Sequence, residues 1–181
     1  MPNLVGKTLA KRYHLLTKLG EGSMASVYRA GDRVRGCLVA VKVLKAHHLD
    51  DPATFKRFRR EAESLARLEH PHIVRFYELI TKAEAPFLVM DYIEGQSVAQ
   101  LLEERQGEPL PLSEATHILY QVGGALHFAH QQGILHRDIK PSNIMLDRSG
   151  SFDVWVVGAD GSNLVNLTHH PGEDVDPVWT R

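Results

Sequence analysis

The chain has 181 residues, a formal net charge of −1 and 43% hydrophobic residues, so it can build one core or two small ones and carries no basic field that would bind nucleic acid. Cys37 is the single cysteine, which excludes an intrachain disulfide, and no apolar run approaches the length of a signal segment or a membrane span. We therefore expect a cytoplasmic protein that binds neither nucleic acid nor membrane.

A Gly-x-Gly turn between two predicted strands is the first motif of the chain. Gly20 and Gly22 would let the backbone approach phosphate oxygens, and Lys42, at the end of an alternating strand over residues 39–42, would supply a positive charge. A dinucleotide-binding turn is the usual alternative, but it needs a helix directly after the glycines. Residues 27–44 instead predict strand, turn and strand, which favours a hairpin that covers phosphates.

Strand periodicity around Lys42 adds an independent constraint. Ala40 and Lys42 share one face of their strand, which leaves its three valines on the opposite, core-facing side. The lysine therefore lies beside a small residue, Ala40, which leaves space next to the phosphates. An adenine ring would need such a space. We expect Val27 and Ala40 above the ring and Met145 below it.

The first long helix is predicted from Asp51 and Pro52, which are suited to the N-cap and the first helical position. Apolar residues recur after them at helical spacing. Within this helix Glu61 is a candidate partner for Lys42. The alternative is that Glu61 is one more solvated charge in the run 56–63.

A second long helix is predicted over residues 113–132, with Ser113 as its cap and Gly133 as its end. Two glycines in its middle lower its helix propensity, so we expect it to depend on packing. Its predicted apolar stripe consists of Ile118, Leu119, Val122, Leu126 and Ala129.

The segment over residues 135–144 combines a base, a cation and a metal-type ligand at fixed spacing. Asp138 would accept the proton of a substrate hydroxyl, Lys140 would steady a transferring phosphoryl group, and Asn143 would hold Mg²⁺. This division of roles is the one that phosphoryl transfer needs.

Together these segments resemble the eukaryotic-like Ser/Thr protein kinases of bacteria over about residues 13–147. The resemblance implies an α+β kinase-like fold, with a complete small lobe and hinge at 1–93 (an antiparallel sheet plus one helix) and a truncated large lobe at 94–150 that holds the catalytic loop. It also implies ATP and Mg²⁺ as cofactors and a protein hydroxyl as the acceptor. The lysine two residues after Asp138 is typical of the Ser/Thr branch.

The resemblance further implies that residues 87–95 form the strand and hinge that hydrogen-bond adenine, with Met90 as gatekeeper. The residues expected to contact ATP are Leu19, Gly20, Gly22, Val27, Ala40, Lys42, Met90, Asp91, Ile93 and Met145. Those expected to act in phosphoryl transfer are Lys42, Glu61, Asp138, Lys140 and Asn143, the last of them as metal ligand.

The resemblance breaks after the catalytic loop. In the family a second metal-binding aspartate opens an Asp-Phe-Gly triplet, which on the usual spacing falls at Val156-Val157-Gly158. A valine offers Mg²⁺ no oxygen ligand, which leaves Asn143 as the expected protein ligand. Because the metal neutralises developing phosphoryl charge, we expect turnover to be impaired or absent.

Residues 151–181 change character and resemble one repeat of a TolB-like β-propeller, with an Asp-x-Trp-Val strand, an Asp-Gly-Ser turn and an Asn-Leu-Thr strand. A single blade cannot be a domain, so we expect a short β-hairpin segment. Two origins remain open, a junction between part of a kinase and a propeller fragment or a short pseudokinase, and the sharp change near residue 150 favours the junction.

Two functions also remain open. The first is an ATP-binding Ser/Thr protein kinase homologue that transfers the γ-phosphate to a protein hydroxyl with impaired activity. The second is a non-catalytic pseudokinase or interaction module that docks a protein partner on the small lobe or on the helix over 113–132. Since the helices that cover this helix in the family are missing, we expect an exposed apolar patch and self-association.

Overall fold

The computed structural model describes residues 4–49, 51–83, 85–136 and 138–147, together with the backbone of residues 152–154. The strands in chain order are β1 (Thr8–Leu9), β2 (Tyr13–Glu21), β3 (Ala25–Asp32), β4 (Cys37–Leu44), β5 (Phe76–Ile80), β6 (Phe87–Asp91), β7 (Gly95–Ser97), β8 (Ile144–Asp147) and β9 (Phe152–Val154). The helices are α1 (Pro52–Leu65), α2 (Val98–Glu104) and α3 (Leu112–Gln131), with short 3-10 turns at Ala46–His48 and Pro141–Asn143.

Six of these strands form one antiparallel sheet in the order β1-β2-β3-β4-β6-β5. The predicted strand, turn and strand after the glycines are confirmed as β3 and β4, which pair along their whole length. Gly36, with a φ of 68°, takes the left-handed conformation that the tight turn between them requires. The register places Val27 opposite Lys42, so the glycine-containing turn and the lysine belong to adjacent strands.

The two faces of β4 enter two different hydrophobic clusters, as the period of two predicts. Val39, Val41 and Val43 pack with Tyr13 and Phe87 on one side of the sheet. Ala40 and Leu44 pack on the other side with residues of α1. The sheet is therefore covered on both faces, whereas the sequence predicted a core on the valine side alone.

Helix α1 begins where the sequence predicted. The Asp51 side chain accepts a hydrogen bond of 3.0 Å from the Ala53 N–H, and Pro52 is the first helical residue. Phe58 and Ala62 face the sheet and are buried. This packing holds α1 against the face of the sheet that carries Ala40.

Helix α3 differs from its prediction at its start, and its predicted apolar stripe is buried only in part. It begins at Leu112 after Pro111 and has no side-chain cap, so Ser113 as the cap was wrong, because Pro111 already ends the preceding extended segment. Within the stripe Ile118, Val122 and Ala129 are buried, whereas 70% of the surface of Leu119 is exposed. Ala125 is buried as well. Gly133, with a φ of 71°, ends the helix as predicted.

A second sheet consists of β7, β8 and β9. Gly95 makes it possible, because a Cβ atom at this position would lie 1.7 Å from the Leu146 carbonyl oxygen. The chain passes from the first sheet to the second between Asp91 and Gly95, and the domain boundary at residue 93 stays a prediction.

The strand β9 pairs antiparallel with β8 and lies beside α3. The remaining residues of the propeller-like segment, 151 and 155–181, lie outside the described residues, so the boundary at 150 and the β-hairpin stay predictions. In the part of the chain that the structure describes, no helix combines the length and the apolar composition that crossing a membrane requires.

Candidate functional site

Lys42 and Glu61 form a buried ion pair. Lys42 Nζ donates a hydrogen bond of 2.7 Å to Glu61 Oε1, and the two residues are 4% and 9% exposed. Glu61 Oε2 is buried and has no hydrogen-bond partner among the described residues. Removing one charge of such a pair strands the other away from water, which typically costs about 3–5 kcal/mol. The predicted pairing is thus confirmed as a contact, and its role toward phosphate stays a prediction.

Packing explains why Glu61 turns inward while its neighbours in the charged run do not. Glu61 lies on the same side of α1 as Phe58 and Leu65, which are buried against the sheet. Arg59 and Glu63 instead form a 2.8 Å pair on the exposed side of α1. The alternative reading of Glu61 as a solvated charge is therefore wrong.

The glycine-containing turn connects β2 to β3 and is held by polar contacts. The Gly22 N–H donates to the Ala25 carbonyl oxygen at 2.9 Å. Glu21, between the two glycines, pairs with Lys18 on its own strand and with Lys45 at 2.8 Å. These two lysines lower the pKa of Glu21 to about 2. Sequence reasoning missed Lys45, because its contact depends on the pairing of β2, β3 and β4 rather than on local spacing.

Several residues expected around adenine come together in one apolar cluster. Ala40 and Met90 are buried in it, and Val27 and Ile93 pack against it. Met145 lies instead on β8, opposite Ser97 in the second sheet. A further expected contact, Leu19, is exposed on β2.

The segment predicted to be the hinge begins at Asp91, the last residue of β6. Its N–H donates to the Arg75 carbonyl oxygen at 2.9 Å, and its carboxylate accepts a hydrogen bond from the Tyr77 hydroxyl. Sequence reasoning missed Tyr77, because no spacing rule connects it to Asp91. A shallow cavity of about 340 Å³ lies on this side of the hinge, lined by the loop after α1 and by Asp91 and Ile93.

The three predicted residues of the catalytic loop are in mutual contact. Lys140 Nζ lies 2.7 Å from Asp138 Oδ2. Asn143 Nδ2 donates to the same carboxylate oxygen at 3.1 Å and to the Asp138 carbonyl oxygen at 2.8 Å. His136 is buried, and its Nδ1 accepts from the Asp138 N–H at 3.2 Å. Lys140 and Asn143 thus hold the Asp138 carboxylate, and His136 holds the Asp138 backbone.

This donor set fits a partial magnesium site. Because the amide nitrogen of Asn143 faces Asp138, its Oδ1 is the atom suited to a hard cation. Within the described part of the chain, no group of three or more His, Cys, Asp or Glu side chains could hold a metal ion by itself. Mg²⁺ usually takes one or two protein ligands together with water and substrate phosphates. The arrangement therefore suits a cation that arrives with a nucleotide.

Comparison with known proteins gives a consistent result. The family model described as "Protein kinase domain" matches residues 13–157. Serine/threonine-protein kinase PrkC of Bacillus subtilis (strain 168) is 38% identical over 167 residues, which are 92% of this chain and 26% of that protein. Serine/threonine-protein kinase PknB of Mycobacterium tuberculosis (strain ATCC 25177 / H37Ra) is 38% identical over 170 residues, which are 88% of this chain and 27% of that protein. The chain thus spans about a quarter of the length of these relatives.

Solved structures agree with the fold. A crystal structure of the Mycobacterium tuberculosis PknI kinase domain superposes with a TM-score of 0.72 at 33% identity, covering 89% of this chain and 63% of that one. The predicted kinase-like fold, with part of the large lobe in this chain, is confirmed by this match.

Proposed function

This chain belongs to the protein kinase family, and from that membership we propose that it binds ATP with Mg²⁺ as a Ser/Thr protein kinase homologue whose transfer of the γ-phosphate to a protein hydroxyl is impaired. The observation that carries the proposal is the buried Lys42–Glu61 pair beside the apolar cluster around Ala40 and Met90. We place the protein in the cytoplasm as part of the same proposal.

The first half of the proposed site binds the nucleotide. Lys42 would hold the α- and β-phosphates as a point charge, and Glu61 would keep its ammonium group in place. The turn with Gly20 and Gly22 would cover the phosphates, since backbone without side chains permits close approach. The small Ala40 leaves the space above the adenine ring.

The second half of the proposed site handles the acceptor. Asp138 would take the proton of the protein hydroxyl, and its carboxylate is already oriented by Lys140 and Asn143. Lys140 would also stabilise negative charge on the transferring phosphoryl group. When bound beside the Asn143 amide oxygen, Mg²⁺ would neutralise part of that charge.

The impairment is proposed from the sequence at residue 156, which lies outside the described residues. Valine occupies the position at which the family has a metal-binding aspartate. We expect the unaltered chain to transfer phosphate from radiolabelled ATP to a generic basic protein barely above background. Val156→Asp should raise the rate at least about tenfold, since an added oxygen ligand stabilises the transition state.

Val157→Asp is the matched control for this experiment, because it adds the same charge one residue out of register. Asp138→Asn in the Val156→Asp background should abolish the gain. An equal gain in both valine variants would refute the assignment of residue 156. Vigorous transfer by the unaltered chain would refute the impairment.

A second candidate function is favoured by one surface. Leu112, Leu119 and Tyr120 on α3 are 83%, 70% and 82% exposed and share one helix face. Contiguous apolar surface of this kind is typical of protein contacts. A non-catalytic module that docks a protein partner, or a second copy of the chain, on this face would need no nucleotide. The propeller-like character of residues 151–181 stays a prediction under either function.

A further inference from the structure

Tyr77 lies at an irregularity of the six-stranded sheet. In the pairing of β5 with β6, Phe76 is opposite Met90 and Glu78 is opposite Val89, so Tyr77 is an extra residue on β5. Such a β-bulge redirects a side chain and is frequently found beside functional sites. Here the bulged residue reaches the end of β6, where its hydroxyl donates a hydrogen bond to Asp91 Oδ1.

The Tyr77 ring is also in contact with a cation, the guanidinium of Arg35. The guanidinium of Arg35, in the turn between β3 and β4, lies 3.9 Å from the ring centroid, which is the geometry of a cation–π contact. Arg35 is itself 3.9 Å from the buried carboxylate of Asp32. The hydrogen bond to Asp91, with partial burial, raises the pKa of Tyr77. The phenol is therefore a neutral donor whose ring and hydroxyl are both fixed.

Asp91 is consequently anchored twice. Its carboxylate is held by Tyr77, and its N–H is held by the Arg75 carbonyl oxygen at 2.9 Å. It is also the last residue of β6 and directly follows the buried gatekeeper candidate Met90. The point at which the hinge leaves the sheet is thus set by a side chain from β5.

We infer that Tyr77 is a positioning residue for the adenine end of the nucleotide site, which fixes Asp91 and through it the hinge backbone over residues 91–93. The inference rests on the proposed function, since it assigns a role within the same site. Tyr77 does not touch the nucleotide in this account. It reduces the number of conformations of the hinge backbone over residues 91–93. Adenine binding then costs less conformational entropy, because the backbone groups that hydrogen-bond adenine are already ordered.

The chain offers a matched control for the loss of the Tyr77 hydroxyl. Tyr13 on β2 also donates its hydroxyl to a carboxylate, that of Glu78 on β5, which lies opposite Val89 on β6, so this bond ends at Glu78 rather than at Asp91. Tyr77→Phe and Tyr13→Phe therefore remove the same kind of bond from the same sheet. A general effect of sheet stability would appear in both variants, and an effect on the hinge would appear in the first alone.

Titration calorimetry with ATP, adenosine and inorganic tripolyphosphate, all in the presence of Mg²⁺, separates the two ends of the site. Tyr77→Phe should weaken the binding of ATP and of adenosine by about tenfold, the lower end of the range for one lost hydrogen bond to a charged group. Tripolyphosphate, which has no adenine, should bind unchanged. Tyr13→Phe should leave all three affinities within about twofold.

A double-mutant cycle tests the route through Asp91. Asp91→Ala should reproduce the loss of adenosine affinity, and Tyr77→Phe should add little in the Asp91→Ala background, because both changes delete the same contact. Full additivity would overturn the inference. Equal losses for adenosine and tripolyphosphate, equal losses in the Tyr13→Phe control, or no loss in Tyr77→Phe would each overturn it as well.

The outcomes also separate this inference from the proposed function. If the unaltered chain binds neither ATP nor adenosine, the proposed function fails and the inference fails with it. If the unaltered chain and Tyr77→Phe bind adenosine equally well, the inference alone fails.

Discussion

The six-stranded sheet and helix α3 both carry apolar residues on more than one face, yet those of the sheet are buried on both faces and those of α3 on one. The valines of β4 and the residues that alternate with them are buried in separate clusters on the two sides of the sheet. On α3, Ile118 and Val122 are buried while Leu119 and Tyr120 stand in solvent. The nucleotide-binding half of the proposed site is therefore built on a sheet whose two faces are both packed. The half that carries the catalytic loop follows a helix that is packed on one face only.

This contrast is sharpest between two adjacent residues of α3. Ile118→Ala should lower the free energy of unfolding by about 2–5 kcal/mol, because it leaves a cavity in a packed cluster. Leu119→Ala should change it by less than about 0.5 kcal/mol, because the side chain is exposed. Urea denaturation of both variants measures the difference. Similar losses would mean that Leu119 is covered in solution.

We expect a smaller effect in the sheet, where Asp32 makes the free energy of unfolding depend on pH. The buried carboxylate of Asp32 accepts two hydrogen bonds from the Arg12 guanidinium at 2.6 and 2.7 Å and another from the Val34 N–H, with the Arg12 bonds the main cause of a pKa well below the ordinary value. The pKa of Asp32 in the folded state lies below its unfolded pKa of about 4. The ionised Asp32 therefore contributes fully to the free energy of unfolding above pH 4, and this contribution is lost as the pH falls further.

Asp32→Asn tests this pH dependence. The variant should be less stable near neutral pH, and its free energy of unfolding should fall less steeply below pH 4 than that of the unaltered chain. Denaturation curves between pH 2.5 and pH 7 would show the change. Identical slopes in the two proteins would mean that other carboxylates account for the acid sensitivity.

The parts of the structure that follow from local periodicity could be predicted from the sequence. Alternation along β4 placed Ala40 and Lys42 on one face, and helical spacing after Asp51 predicted the helix that carries Glu61. The close spacing of Asp138, Lys140 and Asn143 likewise predicted that they act together. In each case a short stretch of chain determines the geometry.

The parts that depend on contacts between segments distant in the chain could not be predicted from local periodicity. Leu119 carries the same hydrophobic signal as Ile118, and which of them is buried depends on the side from which α3 is covered. The contact of Tyr77 with Asp91 arises from a bulge, which shifts the alternation by one residue. The pairing of Glu21 with Lys45 likewise requires the register of three strands.

The central claim, a kinase-type nucleotide site built on Lys42 and Glu61, is tested most directly by the thermal shift of the full chain with and without Mg·ATP. The variants are Lys42→Met/Glu61→Gln, which leaves no buried charge unpaired, and Lys56→Met, which removes an exposed lysine of α1. At a hundredfold excess over Kd, binding adds about 2.7 kcal/mol to stability. We predict a raised Tm for the unaltered chain and for Lys56→Met, and no shift for the double variant. An equal shift in all three proteins would contradict the assignment of Lys42, and no shift in any of them would contradict nucleotide binding and leave the interaction module as the function.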